Sequence, residues 1–173
     1  MTERFRRGIR IGLDVGSVRV GVARTDPDGV LAVPVATVKR SAKAQDVAQI
    51  VALIAEYEPL EIVVGLPIGL GGAHGPAAQA AVEYARMLLD ALSGNQMQLP
   101  IRLMDERMST MQASRQLQAA GRDSRKGRSV IDQAAAVIIV QQAVDQERAT
   151  GVPPGQLLTA DDLQTDAPDK GLT

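Results

Sequence analysis

The sequence predicts an α/β protein with a five-stranded mixed sheet, an antiparallel meander leading into parallel strands, and helices on both faces. Three observations predict it. Residues 9–38 alternate apolar with small or polar side chains, interrupted by turn signatures. The period then changes, with Val47, Ile50, Val51, Ile54 and Ala55 recurring at helical spacing. Beyond them, short β-branched runs and helical stretches take turns. Strands joined by tight turns pair antiparallel and strands joined through a helix pair parallel, so the order βββαβαβαα folds as one mixed sheet.

Taken in order, Met1 to Gly8 holds Arg4, Arg6 and Arg7 and reads as a flexible lead-in. Ile9–Val15 is the first strand, hairpinned through Gly16-Ser17 onto Val18–Thr25. Asp26-Pro-Asp-Gly29 is a β-turn signature, and Val30–Val38 is a third strand that Pro34 assigns to an edge. The first helix has Ser41 as its N-cap and Pro59 as its stop. Glu61–Leu66 is a buried parallel strand, ended by Pro67. A Gly-rich loop to Pro76 contains the one histidine, His74, which reads as a loop residue. Pro76 suits the first turn of a helix over Ala77–Leu92. Leu99–Met104 is the fifth strand, and Ser109-Thr-Met-Gln112 is a capping box opening a helix to Ala120. Arg122–Arg128 reads as a basic loop and Ser129–Ala149 as a long helix. That helix is apolar all round from Ala134 to Val140, so burial is expected there. The division expected is one domain over 1–150 and a disordered acidic tail over 151–173, which lacks any periodicity.

Composition narrows the chemistry. The 173 residues suffice for one three-layer core, which must be aliphatic because aromatics are only 2%. So few aromatics argue against nucleic-acid binding by base stacking. With no cysteine, thiolate metal sites are excluded, and a single histidine argues against a zinc centre, so a metal would be held by oxygen, which points to Mg²⁺ or Mn²⁺. No apolar run reaches the roughly 20 residues of a membrane span, so no membrane and a cytoplasmic location are expected. Of 20 acids and 19 bases, residues 151–173 hold four acids and one base, so the tail carries −3 and the body +2. Ala/Leu helix faces could support a homodimer, and nothing in the sequence demands one.

Three acids stand at element ends: Asp14 after the first strand, Glu106 after the fifth, and Asp132 in the first turn of the last helix. Two of them have an ordinary explanation, a turn residue for Asp14 and a helix-dipole partner for Asp132. Yet ligands gather at the carboxyl ends of parallel strands, and Ala135 and Ala136 would let the last helix lie close to the sheet. Three converging carboxylates need cations to coexist, and two divalent ions about 3.5–4 Å apart clamp an in-line phosphodiester displacement. Strand parity leaves Asp105 or Glu106 open as the second acid. Arg107 and the basic residues Arg125, Lys126 and Arg128 suit flanking phosphates, although a solvated charged loop is the commoner use of such a run.

Four blocks then carry a resemblance: Gly12-Leu-Asp-Val-Gly-Ser-Val-Arg-Val-Gly-Val-Ala23, Ile62-Val-Val-Gly-Leu-Pro67, Asp105-Glu-Arg-Met-Ser-Thr110 and Ile131-Asp-Gln-Ala-Ala-Ala-Val-Ile-Ile139. In order and spacing, the chain resembles the YqgF/RuvX family of Holliday junction resolvase-like and pre-16S rRNA nucleases. The resemblance implies an RNase H-like fold, Asp14, Glu106 and Asp132 as catalytic and metal-binding acids, and a Mg²⁺ or Mn²⁺ two-metal site. It implies endonucleolytic processing of the 5′ end of pre-16S rRNA in ribosome biogenesis. Branched DNA is the alternative substrate, and a non-catalytic rRNA-associated factor the alternative role. An Asp-x-Gly-Ser hairpin also opens the ATPase domains of sugar kinases and actin-like proteins, but their two lobes and second Asp-Gly motif do not fit in 173 residues.

Overall fold

The computed structural model describes residues 4–68, 74–106 and 125–159, with the backbone alone over 125–129. The strands are β1 (Arg10–Val15), β2 (Arg19–Thr25), β3 (Ala32–Lys39), β4 (Glu61–Leu66), β5 (Ile101–Asp105) and β6 (Gln156–Leu157). The helices are α1 (Gln45–Tyr57), α2 (Pro76–Gly94) and α3 (Arg125–Thr150). The helix expected over Ser109–Ala120 lies outside the described residues.

The strands form one sheet in the order β3-β2-β1-β4-β5-β6. β1, β4 and β5 are parallel, and β2, β3 and β6 run against their neighbours. β3 is an edge, as Pro34 requires, because proline has no N–H to give a second neighbour. Alternation sorts the side chains into two layers. Ile11, Leu13, Val20, Val22, Ile62, Val64 and Leu66 join one core with α1 and α2. Their alternates Gly12, Gly21, Ala23, Val63 and Gly65 lie beneath α3. Both layers are aliphatic, with Tyr84 the one aromatic ring among the fully buried side chains.

The structure departs from the sequence-based expectation in five places. The sheet has six strands because residues 151–159 return to it. Leu158 is buried in the main core, and Gly155, at φ 63°, brings the chain against the Leu103 carbonyl. A two-residue strand leaves no periodicity to read. The basic stretch is helical from Arg125, as arginine and lysine favour, so Arg125, Lys126 and Arg128 stand on α3 and not in a loop. The middle of α3 is not buried all round: Ala134, Val137 and Ile138 are half-buried and, with exposed Val130 and Pro34, line a shallow apolar groove. Ser41 does not cap α1. Its hydroxyl accepts from Lys43 N at 3.2 Å and its carbonyl from Ala44 N at 3.3 Å, a separate turn ahead of the helix. The lead-in, finally, is anchored through Arg6.

Arg6, Arg10 and Arg102 meet Glu61 and Glu147 where the amino ends of β1, β4 and β5 face the last turns of α3. Arg10 is completely buried, and its Nε donates to Glu61 at 3.0 Å and its Nη2 to Glu147 at 2.6 Å. Arg6 donates to both glutamates and Arg102 to Glu61. Burial opposes the charge on Glu147, but hydrogen bonds and charge from Arg6 and Arg10 outweigh it and hold the carboxyl below its ordinary range. The hydrogen bond to Glu147 raises Arg6 in turn, against the effect of burial.

Candidate active site at the carboxyl end of β1

The other end of the same sheet face gathers the acids. Asp14 is the fifth residue of β1 and shares a face with Gly12, which lies under α3. Its partner across the antiparallel ladder is Gly21. On the other side, Leu13 pairs with Val64, so the next position along β4 is Gly65. Asp14 is therefore flanked by two glycines, each about 4.8 Å away in strand spacing.

Each glycine makes room for another acid. A Cβ on Gly21 would run into the Asp132 carbonyl, so the main chain of α3 rests directly on β2 there. A Cβ on Gly65 would lie 2.7 Å from Glu106 Oε1 and collide with Ile139. Gly12 continues the seam, where a Cβ would meet Val140 Cβ at 2.7 Å and the Ala136 carbonyl at 2.8 Å. Ala135 and Ala136 are buried against the sheet, which is the use the sequence suggested for them. Asp14, Glu106 and Asp132 thus stand on a strand, at the end of another and on a helix, all on the α3 side of the sheet.

Parity also separates Glu106 from Asp105. Met104 packs against Ile139 of α3, so Asp105 projects to the opposite side. Asp105 lines a cavity at the sheet edge with His74, Leu66 and Ile68 from one side and Met104 and Gln146 from the other. Glu106 turns back under α3 and is 3% exposed.

Asp132 is engaged by a residue that sequence reasoning missed. Arg19 Nε donates to Asp132 Oδ2 at 2.7 Å, with the side chains 30% and 23% exposed. The turn before Arg19 is closed by Gly16 N donating to the Arg19 carbonyl at 2.9 Å and by Arg40 donating to the Gly16 carbonyl at 3.2 Å. A signal was present. Arg19 shares parity with Gly21, and an interior strand glycine marks close approach of another backbone. What approaches, 113 residues away, is visible only in the fold.

The donor set suits a hard cation, being carboxylate oxygen throughout. A buried glutamate oxygen beside the bare face of Gly65 fits a ligand cradle. Among the described residues, however, no three His, Cys, Asp or Glu side chains are already gathered closely enough to hold a metal ion. Arg107 lies outside the described residues. Arg125, Lys126 and Arg128 are placed by backbone alone: Arg128 and Arg125 precede Asp132 by four and seven residues, on the same face of α3, and Lys126 by six. No helix among the described residues is long and apolar enough to cross a membrane.

Comparison with known proteins agrees with this architecture. The RuvX family model, described as Holliday junction resolvase, matches residues 8–146. A Streptomyces coelicolor protein named "Putative pre-16S rRNA nuclease" is 51% identical over 153 residues, covering 88% of this chain and 89% of the relative. A Thermobifida fusca protein of the same name is 45% identical, covering 89% and 98%. Among solved structures, T. thermophilus RuvC in complex with a Holliday junction superposes with a TM-score of 0.52 at 14% identity, covering 87% of this chain and 99% of that one. That likeness speaks for the RNase H-like fold alone. With the family model matched from β1 nearly to the end of α3, the chain belongs to the RuvX family.

Proposed function

We propose that this protein is a divalent-metal-dependent endonuclease that hydrolyses phosphodiester bonds in structured RNA, and that the 5′ end of pre-16S rRNA is its substrate. Family membership makes it a hydrolase of the nuclease class. The substrate is inferred from the relatives' names. The observation that carries the site is the position of Asp14 between Gly21 and Gly65, with Asp132 resting on one and Glu106 on the other.

In this reading the nuclease domain is residues 1–150 together with the return of the chain at 151–159, and Asp14, Glu106 and Asp132 supply the oxygens that hold Mg²⁺ or Mn²⁺. Bound divalent ions would activate water and neutralise charge on the leaving oxygen in an in-line displacement. The chain's own part is to place three carboxylates on one rigid seam and to hold the flanking backbone. Arg125 and Arg128, on the Asp132 face of α3, grip phosphates to one side, with Lys126 and Arg107 assisting.

The test is cleavage of a precursor 16S rRNA fragment in Mn²⁺ by the wild type and by Asp14→Asn. Loss of a metal ligand removes several kcal/mol of transition-state stabilisation, so the rate should fall on the order of 100-fold or more. Equal rates would refute the assignment. The family model's description as Holliday junction resolvase favours a second reading, a branched-DNA substrate. Competing a four-way junction against the RNA fragment decides between them.

A further inference from the structure

We infer that Arg19 is a mobile cation that occupies Asp132 in the metal-free protein, yields that carboxylate to an incoming divalent ion, and then holds a phosphate of the nucleic-acid backbone. The inference rests on the reading that Asp14, Glu106 and Asp132 form the metal site.

Two kinds of ion pair join α3 to the sheet, and their burial separates their roles. At the amino end of β1 the Arg10 pairs are 0–1% exposed, shared among three arginines and two glutamates, and built to persist. At the carboxyl end the Arg19–Asp132 pair is 30% and 23% exposed. Unlike the Arg10 pairs it is partly open to solvent, so a competing cation or anion can reach it and exchange with it. Its place is also telling. Arg19 opens β2 on the same face as Gly21, next to the strand that carries Asp14. Its guanidinium donates to Oδ2, an oxygen that a metal held by Asp132 would need or would strongly polarise. A cation 2.7 Å from a ligand oxygen opposes a divalent charge at the same carboxylate. Once displaced, the guanidinium remains tethered at the rim of the site. Its planar fork fits phosphate oxygens, a role that lysine fills only as a point charge. Arg19 therefore balances the acids while the site is empty and faces the substrate once it is filled.

The test measures Mn²⁺ binding to the full chain without nucleic acid, and then binding of a precursor 16S rRNA fragment in Ca²⁺ and in EDTA. Arg19→Gln should bind Mn²⁺ about threefold tighter or more, since the competing charge is gone. It should bind the RNA more weakly in Ca²⁺, with the salt slope reduced by about one contact, and as well as the wild type in EDTA. Arg19→Lys, which keeps the charge, should stay near the wild type in Mn²⁺ affinity and recover only part of the RNA binding. Unchanged or weaker Mn²⁺ binding by Arg19→Gln overturns the inference and makes Arg19 a simple strut between β2 and α3. Equal RNA loss in Ca²⁺ and EDTA also overturns it. Asp132→Asn is the reference. If it binds Mn²⁺ like the wild type, the metal-site reading falls and takes the inference with it. If it loses Mn²⁺ while Arg19→Gln gains nothing, only the inference falls.

Discussion

Arg10 has no access to solvent, and both of its carboxylate partners are as deeply buried. Desolvating such a group is expensive, and only the full set of partners offsets it. Arg10→Met strands Glu61 and Glu147 with fewer cations and should destabilise the protein by about 3–5 kcal/mol in urea denaturation. Arg7, 82% exposed and 3.9 Å from Asp28, is the control: Arg7→Ala should change stability by less than about 0.5 kcal/mol. The same cluster sets an acid limit. Glu147 titrates below its ordinary value of 4.5, so its stabilisation is complete above pH 4.5 and is lost as pH falls through the lower, folded-state value. Unfolding free energy followed below pH 4.5 should fall steeply in the wild type and less steeply in Glu147→Gln. None of this was legible in the sequence. Arg6 and Arg10 look like a basic lead-in, and their partners at 61 and 147 are adjacent only after β4 and α3 are in place.

At the scale of elements, the seam between α3 and the sheet depends on three missing side chains. Gly12, Gly21 and Gly65 lie on adjacent strands, and a methyl group on any of them meets a neighbour. At Gly12 and Gly21 the obstacle includes the main chain of α3, which cannot turn aside as a side chain could. Gly21→Ala should therefore lift α3 around Asp132, two turns into the helix. A cost of about 1–3 kcal/mol is expected in denaturation, and misplacing Asp132 by an ångström should slow cleavage on the order of 100-fold. A variant that keeps wild-type stability and rate would show that α3 does not rest there. Much of this level was legible. The alternation in β1 put Asp14 with Gly12, and the alanines after Asp132 pointed to close packing. The helical start at Arg125 and the return of the chain at β6 were not, because one lies in a polar run and the other spans two residues.

In the whole molecule, one face of one sheet is used at both ends. The amino ends of β1, β4 and β5 are fastened to α3 by buried charge, and the carboxyl ends carry Asp14 and Glu106, the acids proposed to take a divalent ion. Asp132 and Glu147 stand 15 residues apart on α3, about 22 Å along its axis. A ligand that binds only the folded chain stabilises all of it, so Mn²⁺ at a hundred times its dissociation constant should add about 2.7 kcal/mol to the unfolding free energy. Stripping the metal should reverse this, and Asp14→Asn should gain much less, as thermal melts with Mn²⁺ and with EDTA would reveal. The overall architecture and the likeness to a known family were both readable from the sequence, since each rests on residues close together along the chain. The opposition between the two ends was not, since it depends on which strand termini share a face.

The bare strip beneath α3 also bears on how this protein tolerates mutation. Most cores are damaged by subtraction, when a large side chain becomes a small one and leaves a hole. Here the contact is already reduced to hydrogen atoms, and every substitution at Gly12, Gly21 or Gly65 can only add matter. Enlarging a neighbour cannot repair such a change, and a smaller residue at Ile139 or Val140 could relieve only the side-chain part of it. At Gly12 and Gly21 the obstacle includes the main chain of α3, which no substitution removes, so these two positions should be closed to drift even where nearby core positions exchange freely.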